Sequence, residues 1–214
     1  MENSKSIYIG LFSLFLGAAL LGSSAIFVRF SETSPSLTAF YRALLALPFL
    51  LIWVLGSKNN LPVKSYLTKD NLVFLFLAGV FFGTDMAVWN WSISFTSVAH
   101  ATLMANTAPI FVTFIAFFFL RQKIETSFFR ALFLAFMGVS IVVLAGSGSD
   151  SAKLLGDSLG LIAAIFYAAY ILTIKKLTNS IPPALTLFFA TLFTALFLFP
   201  IGFLEADTFF PSSQ

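Results

Sequence analysis

Residues 71–95 read NLVFLFLAGVFFGTDMAVWNWSISF. Among these 25 residues one side chain carries a charge, Asp85. Crossing a bilayer takes about 20 mostly apolar residues, so this stretch is expected to be a membrane-spanning helix. The carboxylate then sits at membrane depth, where a charge costs roughly 2.5–3.5 kcal/mol on insertion scales. What compensates that cost decides both fold and function.

The composition agrees with this stretch. The chain has 214 residues, 59% hydrophobic and 10% charged, with a mean hydropathy of +0.96. A soluble domain is about a quarter charged; this chain has too few polar groups to cover a globular surface, and the lipid bilayer is its expected solvent. The 29 Phe suit lipid-facing helices, and the absence of Cys excludes disulfides, thiolate metal sites and cysteine nucleophiles.

Seven stretches qualify as spans: 8–28, 36–55, 71–95, 98–120, 128–145, 154–174 and 183–204. The segments between them, such as SETSP (31–35), RQKIET (121–126) and GSGSDSAK (146–153), are short and hold most of the charge. The first span is longer than a secretory signal core and lacks a clear cleavage site. With the N-terminus inside, nine basic residues (Lys5, Lys58, Lys64, Lys69, Arg121, Lys123, Arg130, Lys175, Lys176) lie on the inner side and two, Arg29 and Lys153, on the outer. That asymmetry predicts a cytoplasmic N-terminus. A weak repeat links residues 34–50 with 181–200 at an offset of 148, pairing Leu37 with Leu185, Thr38 with Thr186 and Phe40 with Phe188. Five spans separate the paired elements, so the second copy is expected to be inverted, an architecture of secondary transporters.

At about 1.5 Å per residue, Arg42 lies about 9 Å, Asp85 about 15 Å and Asn106 about 12 Å from the outer ends of their spans. They are expected to share one polar layer. Asp85, Trp89 and Ser92 fall on one helix face by spacing, whereas Asn90 and Trp91 point elsewhere. Tyr41 and Tyr167 fall in or near the layer. Two readings stand: a solute cavity in which Arg42 anchors an anionic group and Asp85 couples to protons, or a structural Arg42–Asp85 ion pair. Pro48, Pro109 and Pro200 are expected to kink or loosen their spans, the first two as hinge or gate positions. GVFFG (79–83) and GDSLG (156–160) have the spacing of close helix contacts. His100, the only histidine, is read as a local hydrogen-bonding residue.

Several motifs fail. NWS (90–92) lies within a span, out of reach of glycosylation, and GSGSD (146–150) lacks the Lys of a phosphate loop. An intramembrane serine protease would need a buried Ser and a His at matched depth, but Ser149 falls in a loop and no G-x-S-G occurs; the last span has no Lys for a retinal Schiff base. The expectation is a non-enzyme with no catalytic residue, cofactor, metal site or nucleic-acid partner.

Residues 83–124, with their Gly-containing helix, Ala/Ser-rich turn and Pro-bearing helix, resemble the third and fourth helices of the EamA-like family of the drug/metabolite transporter superfamily. LGSSAIFVRFSETSPSLTAFYRALLA (21–46) is similar to its first two helices, and GDSLGLIAAIFYAAYILTIKKL (156–177) to the start of its second repeat. The resemblance implies an all-α membrane protein, a partial ten-helix bundle of two inverted five-helix repeats. Residues 1–146 would form the first repeat and 154–214 two helices of an incomplete second. It further implies a permease moving a small metabolite or drug-like solute across the bacterial inner membrane, often outward. Arg42, Asp85, Trp89, Asn106 and Pro109 are the positions it supports for cavity or gate. The chain departs from the family where Gly-Glu-Arg often follows helix four and Arg121-Gln122-Lys123 stands here. Alternating access needs two halves, so a homo-oligomer or further C-terminal helices are expected partners. The alternative is a truncated, non-transporting membrane protein or interaction partner.

Overall fold

The computed structural model describes residues 2–57, 62–118, 121, 126–146 and 151–205. In chain order the helices are α1 (Glu2–Arg29), α2 (Pro35–Gly56), α3 (Val63–Tyr66), α4 (Lys69–Phe95), α5 (Val98–Ala105), α6 (Ala108–Phe118), α7 (Thr126–Gly146), α8 (Ser151–Leu177) and α9 (Pro183–Glu205). Among the described residues there is no strand. Lys58, Gln122, Lys123, residues 147–150 and everything from 206 onward lie outside the described residues.

Six segments are long and apolar enough to cross a membrane: Gly10–Arg29, Pro35–Gly56, Lys69–Phe95, Val98–Phe118, Ala152–Leu177 and Pro183–Glu205. The chain is therefore an all-α, multi-pass membrane protein. The seventh expected span falls on α7, a helix of 21 residues whose apolar stretch, Phe128–Gly138, is shorter.

The polar breaks seen in the sequence become helix caps. Ser34 Oγ accepts from the Leu37 amide, with Pro35 at the first turn of α2. Thr68 Oγ1 accepts from the Asn71 amide and Ser97 Oγ from that of His100. Each satisfies a donor that the helix start leaves open. The fourth span is not one rod: α5 ends at Ala105 and α6 begins at Ala108. Pro109 has no N–H, and its ring conflicts with the carbonyl four residues back, so the chain turns at Asn106 and Thr107. α2 and α9, by contrast, run on through Pro48 and Pro200.

α4 is the axis of the bundle, packed against α2, α8 and α9. Leu37, Phe40, Ala43, Met86 and Leu198 form one buried cluster; Leu75, Ala78, Leu177, Ile181 and Leu185 form another. The glycines of GVFFG and GDSLG make this closeness possible. A Cβ on Gly79 would stand 2.5 Å from Phe193 Cβ, and one on Gly156 would stand 2.7 Å from Thr96 Cβ. α9 runs antiparallel to α2, since Gly202 lies against Leu37 and Glu205 Oε2 accepts from the Ser36 amide at 3.0 Å. A carboxylate there also favours the positive N-terminal end of α2. At the opposite end of the bundle, Lys176 Nζ stands 3.6 Å above the Phe74 ring. α1 and α7 are peripheral and keep large aromatic side chains such as Phe12, Phe15, Phe133 and Phe136 exposed. In a bilayer that exposure carries no hydrophobic penalty, because lipid tails are as apolar as the side chains.

Candidate functional site

Midway along the bundle, α2, α4 and α8 bring their polar side chains together. Arg42, on α2, is partly buried and places its guanidinium carbon 5.4 Å from the centroid of the Trp89 ring. Its Nη1 donates to Asn90 Oδ1 at 3.4 Å. Asn90 is 1% exposed and donates from Nδ2 to the Pro35 carbonyl at 2.8 Å, which ties α4 to the first turn of α2. Asp85, five residues earlier on α4, is partly buried. Arg42, Tyr167 and Tyr170 all lie within electrostatic reach of its carboxylate. Among the described residues there is no Arg42–Asp85 ion pair closer than 4 Å.

α8 supplies an aromatic wall. Tyr167 and Tyr170 stack at 6.0 Å, and Tyr170 stacks at 4.6 Å on Phe82 of α4. The layer thus holds one cation on an indole face, one carboxylate and two phenols. Such a set can grip an anionic group with the guanidinium, stack a planar group on the rings, and exchange a proton at the carboxylate.

The expected site residues divide into two groups. Arg42, Asp85, Trp89 and Tyr167 share this layer. Tyr41 sits beside Arg42 in sequence and packs against the core of α2, α4 and α9, its ring 5.6 Å from that of Phe40. Ser92 is fully buried and gives its hydroxyl to the Gly156 carbonyl at 2.7 Å, an α4–α8 packing contact. Asn106 and Pro109 line a separate, apolar cavity of about 400 Å³ between the α5–α6 break and α7. Pro48 is exposed on α2.

Two polar contributors stand outside the sequence expectation. Asn90 does face a different neighbour from Asp85, being about 140° further round the helix, but that neighbour is α2 with Arg42. Asp157 of α8 is 9% exposed; it accepts from Thr96 Oγ1 at 3.0 Å and lies 3.4 Å from His100 Nδ1. His100 is therefore held locally, on the partner that the GDSLG motif carries between its glycines.

The family model described as EamA-like transporter family matches residues 8–144 and 154–214. An uncharacterized transporter of Bacillus subtilis, YetK, is 29% identical over 92% of this chain and 61% of its own length. An uncharacterized transporter of Archaeoglobus fulgidus is 28% identical over 94% of this chain and 70% of its own length. Solute carrier family 35 member G1 of the mouse is 28% identical over 64% of this chain and 36% of its own length. The chain thus spans about three fifths of the length of its Bacillus relative.

Proposed function

The chain belongs to the EamA-like transporter family, and we propose that it serves in a secondary transporter whose solute binds in the α2–α4–α8 layer. The observation that carries this reading is the Arg42 guanidinium, held on Trp89 and Asn90 with Asp85 close by but not in contact. A cation fixed by a ring and an amide keeps part of its charge available to an incoming anion. Asp85 is the proposed proton-coupling group, and Tyr167 the side-chain wall against the solute.

The proposed solute is a small metabolite or drug-like molecule, moved outward across a bacterial inner membrane. The N-terminus is placed in the cytoplasm, on the side of Lys64, Lys69, Lys175 and Lys176, following the excess of basic residues there. α7 is taken as a seventh crossing, and the antiparallel α2 and α9 as corresponding members of inverted repeats. A second copy or further helices would complete the other half. Support comes from the Thr38 and Thr186 hydroxyls, each of which donates to the carbonyl four residues back at the start of its helix.

The test uses the chain reconstituted in vesicles loaded with a pH-sensitive dye and challenged with a panel of small carboxylates and amino acids. The wild-type chain is expected to move protons with at least one of them. Asp85→Asn should abolish that proton movement while inserting at normal yield. Wild-type proton flux in Asp85→Asn would refute the coupling role.

A further inference from the structure

Between the end of α1, the following loop and α4 lies a second polar cavity of about 230 Å³. Arg29, Ser31, Thr33, Thr38, Asn90 and Ser94 line it, and Arg29 is its one charged lining residue. We infer that this cavity is an oxyanion-binding vestibule, a site for the carboxylate or phosphate of a small molecule at the mouth of the bundle.

The guanidinium carries five N–H donors. Nη1 is given to the Ile93 carbonyl, which fixes the group against the end of α4. In the same lining, the hydroxyls of Ser31, Thr33 and Thr38 lie 2.8–3.0 Å from one another. Thr38 donates to the Ser34 carbonyl at 3.0 Å, so it accepts within the trio. Ser31 and Thr33 then have two protons for three mutual contacts, and either proton can swing toward an incoming oxygen. A fixed cation that shares a lining with hydroxyls of movable protons suits an oxyanion, since charge-assisted hydrogen bonds are about twice as strong as neutral ones. It does not suit a cation, because no carboxylate lines the cavity. Glu32, between Ser31 and Thr33, is exposed and outside the lining, and Glu205, at this end of α2, is held by the Ser36 amide.

Asn90 joins this cavity to the deeper layer. It lines the vestibule and also accepts from Arg42. An anion leaving Arg29 would next meet Arg42 across a single side chain. That relay rests on the transport reading; the vestibule stands on its own lining.

The absence of Cys allows a direct test that needs no flux. Ser94→Cys, in the full chain in phosphatidylcholine nanodiscs, places one thiol at the rim. Its reaction is timed with an anionic and a cationic methanethiosulfonate, each rate normalised to a small free thiol. A local potential of about one kT, modest for a protein surface, makes the anionic reagent faster by about sevenfold. Arg29→Gln should bring the ratio near one, and Arg29→Lys should retain it. Equal rates in Ser94→Cys alone, or a ratio that survives Arg29→Gln, would overturn the site. Acetate or inorganic phosphate should slow the anionic reagent, supporting a soluble occupant. Slowing seen only when phosphatidylglycerol is added would support the oxyanion site and assign it to a lipid headgroup. No slowing by any of the three would also overturn it.

Discussion

Gly79→Ala tests the α4–α9 contact on which the position of every polar side chain of α4 depends. The added Cβ would stand 2.5 Å from Phe193 Cβ and 2.9 Å from both the Phe193 carbonyl carbon and the Thr194 nitrogen. Carbon atoms rest at about 3.5–4.0 Å, so the helices must part by about 1 Å. None of the three atoms can rotate away: two are backbone and the third is fixed to it. Overpacking of this kind costs about 1–3 kcal/mol. Parting also stretches the hydrogen bond from Thr194 Oγ1 to the Gly79 carbonyl, 3.1 Å long. Against this, replacing a glycine inside a helix by alanine gains roughly 0.5–1 kcal/mol. Gly22 is the control, since a Cβ there meets nothing within 4 Å and only the gain applies. The helix gain cancels between the two variants, which should therefore differ by the overpacking cost of about 1–3 kcal/mol, a factor of roughly 5–150 in the unfolding equilibrium. Titration with dodecyl sulfate in mixed micelles, followed by circular dichroism, reads that difference. Equal midpoints for Gly79→Ala and Gly22→Ala would refute the packing, and with it the placement of α4 against α9.

Two further predictions concern the polar contacts. Asn90→Leu keeps the volume but leaves Arg42 without its acceptor and the Pro35 carbonyl without its side-chain donor. A loss of about 1–3 kcal/mol is expected in the same titration, and an unchanged midpoint would remove Asn90 from the site. His100→Ala and Asp157→Ala should be non-additive, with a coupling of about 0.5–3 kcal/mol in a double-mutant cycle of thermal unfolding; strict additivity would show that the two side chains do not meet.

Much of the fold was legible because charge is so rare in this chain that its position marks helix ends. SETSP separates α1 from α2 between the spans expected at 8–28 and 36–55. Asp85 and Arg42 stand out for the same reason. The partners were not legible. α4 is apolar round most of its circumference, so periodicity does not say which side meets which neighbour. Asn90 therefore looked turned away when it was turned toward α2. Ser92 does share a face with Asp85 by rotation, but nearly two turns later that face meets Gly156, whose missing side chain admits the α8 carbonyl. Counting depth treated the fourth span as a straight rod, and the break at Asn106–Thr107 carries Asn106 toward α7. In GDSLG the glycines announced a close contact correctly, but the spacing rule is silent on the acid between them, which serves His100 and Thr96.

The layer also bears on whether Arg42 and Asp85 are only a structural pair. A charge at this depth costs roughly 2.5–3.5 kcal/mol. A cation over a desolvated Trp face returns about 2 kcal/mol. One hydrogen bond to Asn90, long at 3.4 Å, returns at most about 1 kcal/mol more. These two contacts nearly offset the cost, so Arg42 is tolerated where it stands without a direct bond to Asp85. A structural pair would need the two groups in contact, and the geometry holds them apart. Asp85 is then retained at an expense that Arg42 does not fully repay. The consequence separates the readings: Asp85→Asn should leave the dodecyl sulfate midpoint unchanged or raised, because a neutral amide replaces a group that burial disfavours in its charged form. A midpoint lowered as far as that of Asn90→Leu would restore the structural pair and take the coupling role from Asp85.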